Sequence, residues 1–395
     1  MKIEFRFNRA VILLALVAAF LVPAITSAEN TNIANTYPLL GRGVRPLGMG
    51  NAFLTMKGTD ENALFYNPAA IRDFTGEVKF TTGLLPAPPF EINYSVIQLT
   101  KDIFDFQDDL DASNTSSGDI DLFRDFVDKH IGSFYSMELR TPIIGAYNRY
   151  FAVSLINDDR FGVSFRNRAF PNFEIKSVNV AGIAVGSAYG FFEERLEVGA
   201  AAKILYGVSN EQIITTTDIL SGSLGDDFKW KNWKRGLGVG FDLGVKYEIH
   251  DFGQDWIDLL KPTVAVVYQN VGNTRFSFMK KNGGPDALPQ SVGAGIGIHP
   301  TLGTIETSLC VDFRELNIKE DFLLKLNVGA EARFPTFGIL KPYLRAGLNQ
   351  GYPAFGGGLD IWKATWNVAF FGKEVGDTTR QKGGYRIANE FSWKF

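Results

Sequence analysis

Charged residues alternate with apolar ones along several long runs of this chain. Lys246 and Glu248 interleave with Val245, Tyr247 and Ile249; Lys325, Glu331 and Arg333 interleave with Leu324, Leu326, Val328, Ala330, Ala332 and Phe334. Glu306 and Asp312 hold the matching places between Ile305 and Phe313. Charges of both signs at such spacing pair across a wet interior, and mutual pairing is the expectation for most of them. Arg345 differs, because Tyr343, Gly347 and Asn349 share its face and its run carries no acid. A guanidinium so placed offers a bidentate grip on a carboxylate, which makes Arg345 and Asn349 candidate ligand-binding residues.

A second group is the basic aromatic cluster between Lys229 and Arg235, where Trp230 and Trp233 stand among Lys231 and Lys234. One reading is an interfacial anchor, with tryptophan at headgroup depth and lysines reaching phosphates. The other is a landing site for an anionic amphiphile, the lysines meeting its carboxylate and the indoles covering its chain. Enzyme chemistry has no such support. His130, His250 and His299 lie far apart without metal-ligand spacing, and no nucleophile elbow, phosphate loop or dinucleotide fingerprint occurs. The expectation is a non-enzyme without metal or cofactor.

The frame that must position these residues is written as period-two alternation. From Gly236 to Ile249, Leu237, Val239, Phe241, Leu243, Val245, Tyr247 and Ile249 take one face, and Gly238, Gly240, Asp242, Gly244, Lys246 and Glu248 the other. That run exceeds the ~9–11 residues a tilted strand needs to cross hydrocarbon. Similar runs begin near Glu77, Glu91, Phe134, Phe151, Phe161, Phe173, Glu197, Thr263, Ser291, Ile305, Leu324, Pro342, Ala354, Thr365 and Tyr385, with Asn157-Asp158-Asp159 read as a bulge or turn. The fold class expected is all-β: a transmembrane antiparallel barrel of roughly fourteen strands, closed so that no unpaired edge meets lipid.

Residues 1–28 read as a signal peptide, with Lys2, Arg6 and Arg9 before the apolar run Val11–Val22 and Thr26-Ser27-Ala28 as the cleavage site. Its removal leaves a net charge of about −5, which argues against nucleic acid. Cys310 is the one cysteine, so no internal disulfide is expected. Phe395, Trp393, Phe391, Ile387 and Tyr385 share a face at the C-terminus, similar to the signal read by the outer-membrane barrel assembly machinery. Three stretches leave the strand rhythm: an amphipathic helical hairpin from Lys101 to Ile131, placed outside the cell, the Leu220–Arg235 segment, and a short helix within Asp251–Lys261. The hairpin is a lid or groove for apolar ligand or a packed cap.

The stretch Gly41–Arg72 carries no strand pattern. Gly41, Gly43, Gly48 and Gly50 open it, Thr59 or Asp60 can cap a helix, and Ala63–Tyr66 continue that helix until Asn67-Pro68 stops it. RPLGMGNAF followed by GTDENALFYNPAAI resembles the N-terminal hatch of the FadL family of long-chain fatty acid transporters, and equally the PorV/PorQ branch of that superfamily. The matching positions are Gly48, Met49, Gly50, Ala52 and Phe53, then Asp60, Glu61, Asn62, Ala63, Tyr66, Asn67, Pro68 and Ala69; LRAGLNQGYPAFGGGLDI near the C-terminus is similar to PorV-like barrels.

The resemblance implies a fourteen-stranded barrel (76–395) with a hatch or plug (29–75) in its lumen and short extracellular helices, in the outer membrane of a diderm bacterium. It implies passive uptake of hydrophobic or amphiphilic small molecules such as long-chain fatty acids, gated by the hatch through Gly48, Gly50, Asn67 and Pro68. The implied partners are membrane lipid, the ligand and the assembly machinery. The alternatives are a PorV-like surface scaffold for secreted proteins and a structural outer-membrane protein.

Overall fold

The computed structural model describes residues 40–57, 60–82, 89–112, 116–131, 133–139, 144–166, 172–215, 230–249, 255–318, 321–374 and 383–395. The signal-peptide reading falls outside them. The strand segments form one antiparallel sheet, and because four strands each come in two pieces, 18 segments make 14 staves. In chain order these are β1 (Lys79–Thr82 and Phe90–Asn93), β2 (Phe134–Leu139 and Ile144–Tyr147), β3 (Phe151–Arg166), β4 (Asn172–Phe191), β5 (Leu196–Thr215) and β6 (Lys234–Glu248). Then come β7 (Thr263–Gln269 and Phe278–Lys281), β8 (Ser291–Ile298 and Thr301–Leu302), β9 (Ile305–Phe313) and β10 (Leu326–Arg333). Finally, β11 (Leu340–Asn349), β12 (Tyr352–Ile361), β13 (Ala364–Glu374) and β14 (Gly383–Lys394) bring the sheet back to β1, where Ile387 pairs with Ile92 and Thr81 with Lys394. The barrel is closed.

Its two surfaces are inverted relative to a soluble protein. On β6, Val239 and Phe241 are 39% and 52% exposed while Asp242 and Lys246 are 2% exposed. The alternation therefore puts apolar side chains outward and charges inward, as a strand facing lipid on one side and a polar lumen on the other requires. No helix among the described residues is long and apolar enough to cross a membrane. Crossing is by strands, as a closed transmembrane β-barrel.

The helices are α1 (Val44–Gly48), α2 (Ala63–Tyr66), α3 (Tyr94–Ala112), α4 (Ser116–His130), α5 (Asp255–Leu260) and α6 (Phe322–Lys325). Hairpin α3–α4 follows β1 at the long-loop end, taken as extracellular; the tight turns and the C-terminus mark the opposite, periplasmic end. Three expectations are corrected. Helix α5, between β6 and β7, lies at the periplasmic end, so not every short helix is extracellular. Asn157-Asp158-Asp159 is no turn: β3 runs through it, paired residue for residue with β4. The run starting at Leu324 begins as the helical turn α6, because Phe322, Leu323 and Leu324 in succession break the alternation, and Lys325 sits there, its Nζ donating to the Ile318 carbonyl at 2.5 Å.

Strand length is uneven round the barrel. β4 and β5 have 20 residues each, β8's longer piece and β10 have 8. At ~3.3 Å per residue the former run for ~66 Å and outreach the hydrocarbon even when tilted. The wall is tall at β3–β6 and low at β8–β12.

Candidate functional site

The N-terminal segment Leu40–Asp73 lies against inward faces on opposite sides of the barrel. Helix α1 packs on β11–β14, and the 3₁₀ turn Pro68–Asp73 packs on β4–β6. Between them Phe53 and Leu54 donate their N–H groups to Asp312 of β9 at 2.6 and 2.9 Å. Gly41 N–H reaches Asp158 of β3 at 2.8 Å, and Val44 N–H reaches Glu390 of β14 at 3.0 Å. An inward carboxylate thus meets an otherwise orphan backbone donor at each place.

The residues singled out from the pattern divide. Gly50 has φ +61°, and a Cβ there would come within 2.5 Å of the Leu348 and Val328 backbone. Gly48 touches Gly356, whose Cα would lie 2.9 Å from a Cβ. These glycines seat the segment on β10–β12. Asn67 is fully buried; its amide accepts from Ala69 N–H at 3.1 Å and donates to Leu54 O at 3.0 Å, joining α2 to the turn that Pro68 begins. Asp60 does not cap α2. Its carboxylate accepts from Asn62 N–H at 3.1 Å and pairs with Arg45 at 2.9 Å, and the N-cap is Asn62 with no side-chain cap bond.

Arg345 is not an open carboxylate grip, which corrects the expectation from its own strand. Its Nε donates to Glu331 on β10 at 2.7 Å and its Nη1 to Asn367 on β13 at 2.9 Å. The same Glu331 takes Arg45 through two bonds, 2.8 and 2.7 Å, and Arg333 at 2.7 Å. Strand-neighbour pairing supplies the acid that β11 lacks. Lys231, Trp233 and Lys234 lie before and at the start of β6, far round the wall from β11; Asn282 ties that turn by bonding the Lys231 and Trp233 carbonyls at 2.6 and 3.1 Å. The Trp230 side chain lies outside the described residues. The structure therefore does not gather the two candidate groups.

What it does gather is a cleft at the extracellular end between the N-terminal segment and the low wall. Arg42, Leu47 and Asn51 form one side; Arg314, Glu315, Leu324, Asn327, Asn349, Phe371 and Lys373 form most of the other, round a partly open space of about 20 Å³. Arg314 is 5% exposed, stands 4.8 Å over the Tyr66 ring, donates Nη2 to Gln269 at 3.3 Å, and leaves Nη1 without a hydrogen bond. Of the sequence candidates only Asn349 lines this cleft, with its Nδ2 held by Gly372 O at 2.7 Å. Lys373 also leans at 3.8 Å on Glu138, within a buried group where Arg386 bonds Glu91 at 2.5 Å and Glu138 at 3.1 Å. Arg386 is fully buried, and its Nε and Nη2 have no hydrogen-bond partner among the described residues. Arg160 also stands beside Glu138, at 3.3 Å. Phe371, Lys373 and Arg386 were legible as strand residues, but their convergence needs the register of β13 on β14.

No family model matches the sequence, and no curated protein is similar to it. Among solved structures the fold is similar to that of the CymD monoaromatic hydrocarbon channel, with a TM-score of 0.51 at 12% identity over 91% of this chain and 98% of that one. The Ralstonia pickettii toluene transporter TbuX aligns over 90% of this chain and 99% of its own, at TM-score 0.47 and 11% identity. A Pseudomonas aeruginosa FadL homologue aligns over 91% and 98%, at 0.36 and 10%. The similarity to the CymD structure is one of fold, a closed β-barrel aligned over nearly the whole of both chains.

Proposed function

We propose that this barrel is a passive outer-membrane channel for hydrophobic or amphiphilic small molecules, with the N-terminal segment as its hatch. The observation that carries this reading is the extracellular cleft, where Leu47, Leu324 and Phe371 give apolar cover beside Arg42, Arg314 and Lys373. An apolar body with an acidic head satisfies both halves: three cations against the one acid Glu315 line the cleft, and the unfilled Arg314 Nη1 favours an anionic head over a neutral hydrocarbon. Long-chain fatty acids fit that description. The molecule enters over the low wall, sets its head group at the cleft, and passes when the hatch leaves its seat around Gly48, Gly50, Asn67 and Pro68.

Mass spectrometry of lipids bound to the purified protein tests the ligand class; an acidic amphiphile is expected, and its absence from a protein that instead retains a large secreted partner supports the PorV-like scaffold. Gating is tested by a tether. Met56 on the hatch touches Cys310 on β9, its Sδ 3.6 Å from Sγ, and Met56→Cys supplies the tether wherever thiol counting shows that the two cysteines have oxidised. Uptake should stop in the oxidised form and return on reduction.

A further inference from the structure

The break in β7 is an inward excursion. β6 and β7 pair from Glu248↔Thr263 to Leu243↔Tyr268 and again at Phe278↔Leu237, so nine residues, Gln269–Ser277, stand against five, Gly238–Asp242. The excess folds onto the lumenal face. Phe276 is 3% exposed and Thr274 fully buried, while Arg275 between them is exposed. The wall is cut away beneath this segment. A Cβ on Gly236 would lie 2.7 Å from the Phe276 carbonyl oxygen, one on Gly238 2.8 Å from that of Arg275, and one on Gly207 of β5 2.7 Å from the Phe276 ring. The inward glycines of β6, which sequence alone assigns to a wet lumen, are a bed for this strap.

The strap is fastened at its base and packed at its tip. Asp242 accepts from Asn270 N–H at 2.8 Å and from Lys203 at 2.7 Å, and Lys203 reaches Asn270 Oδ1 at 2.7 Å. Thr274 and Leu288 exchange both backbone bonds at 2.9 Å. Phe276 and Leu288 then share one buried apolar cluster with Leu64, Phe65 and Ile71 of the N-terminal segment and with inward Val178, Val180 and Leu205 of the tall wall. An apolar cluster of this kind leaves no room for water or solute.

We propose that the strap Asn270–Phe276 is a partition that shuts the tall side of the lumen and confines passage to the low side, so that Phe276 sets the bore and hence the bulk of ligand admitted. This rests on the channel reading. The experiment is ion conductance of the full chain in planar bilayers, with uptake of a fluorescent long-chain carboxylate into cells expressing the same variants. Phe276→Ala removes the tip; Gly236→Val displaces the strap without altering it; lipid-facing Val239→Ala is the control. Folding of each is checked by heat-dependent gel mobility. Conductance should rise several-fold in both lumenal variants and stay level in Val239→Ala. Unchanged conductance in folded Phe276→Ala and Gly236→Val, or an equal rise in Val239→Ala, overturns the partition. Raised conductance with no carboxylate uptake by wild type or any variant upholds the partition and overturns the channel reading instead.

Discussion

Glu331 accepts hydrogen bonds from three arginines, and only Arg45 comes from the N-terminal segment. Glu331→Gln removes the charge that all three share, and breaking a buried pair in this way costs about 3–5 kcal/mol. The expected result is earlier proteolytic cleavage within residues 40–57, read by mass spectrometry. Gly50→Ala should loosen the same contact by a different route: a left-handed φ costs a side chain ~1–2 kcal/mol, and the Leu348 and Val328 backbone adds a clash. Glu61 adds a pH dependence. Burial first, and then Asp60 beside it, pushes its carboxyl from 4.5 up to about 7. A raised carboxyl stabilises the packed state fully below its unfolded value and loses that contribution as pH rises through about 7. Thermal stability should therefore fall between pH 4.5 and 7, and Glu61→Gln should flatten that slope. Arg345 marks the limit of legibility at this scale. Its missing acid is real on β11 and supplied by β10, and a one-strand reading has no register with which to see it.

The N-terminal segment is held to the β4–β6 wall by two kinds of ion pair, and their burial ranks them. Lys246 bridges Asp73 and Glu197, 2.8 Å from the latter, with its side chain 3% exposed. Arg72 pairs with Glu194 at 2.5 Å, but Glu194 is 46% exposed. Losing the buried cation strands two carboxylates, so Lys246→Ala should free the Pro68–Asp73 turn, whereas Arg72→Ala should cost no more than about 1 kcal/mol. Hydrogen exchange at Ala69–Asp73 distinguishes them. The elements themselves were largely legible, because period-two alternation forces apolar residues to lipid and the hairpin's helical spacing survives its exposure. Split strands were not. Alternation continues through β7 on either side of the excursion, and nothing local records that Gln269–Ser277 has left the wall.

At the level of the molecule, the proposed channel meets its ligand where the uneven wall is low. The cleft opens at the extracellular ends of β9–β11, where Phe322 and Leu323 of α6 are 63% and 60% exposed and Leu324 lines the cleft itself. These three make an apolar step from the membrane-level rim into the lumen. Phe322→Asp with Leu323→Asp should reduce carboxylate uptake several-fold without lowering thermal stability, since neither side chain is buried; unaltered uptake would remove the low wall as the route. The closed architecture could be read from the sequence because strand length and C-terminal aromatics agree, but the lowering of the wall on one side could not, since it depends on which strands stand opposite. The seam between β14 and β1 adds a matter of timing. Phe80 and Phe395 exchange backbone bonds at 3.0 and 2.8 Å, so strands more than 300 residues apart in sequence close the wall against each other. A segment that touches strands all round must already lie between them when that seam shuts.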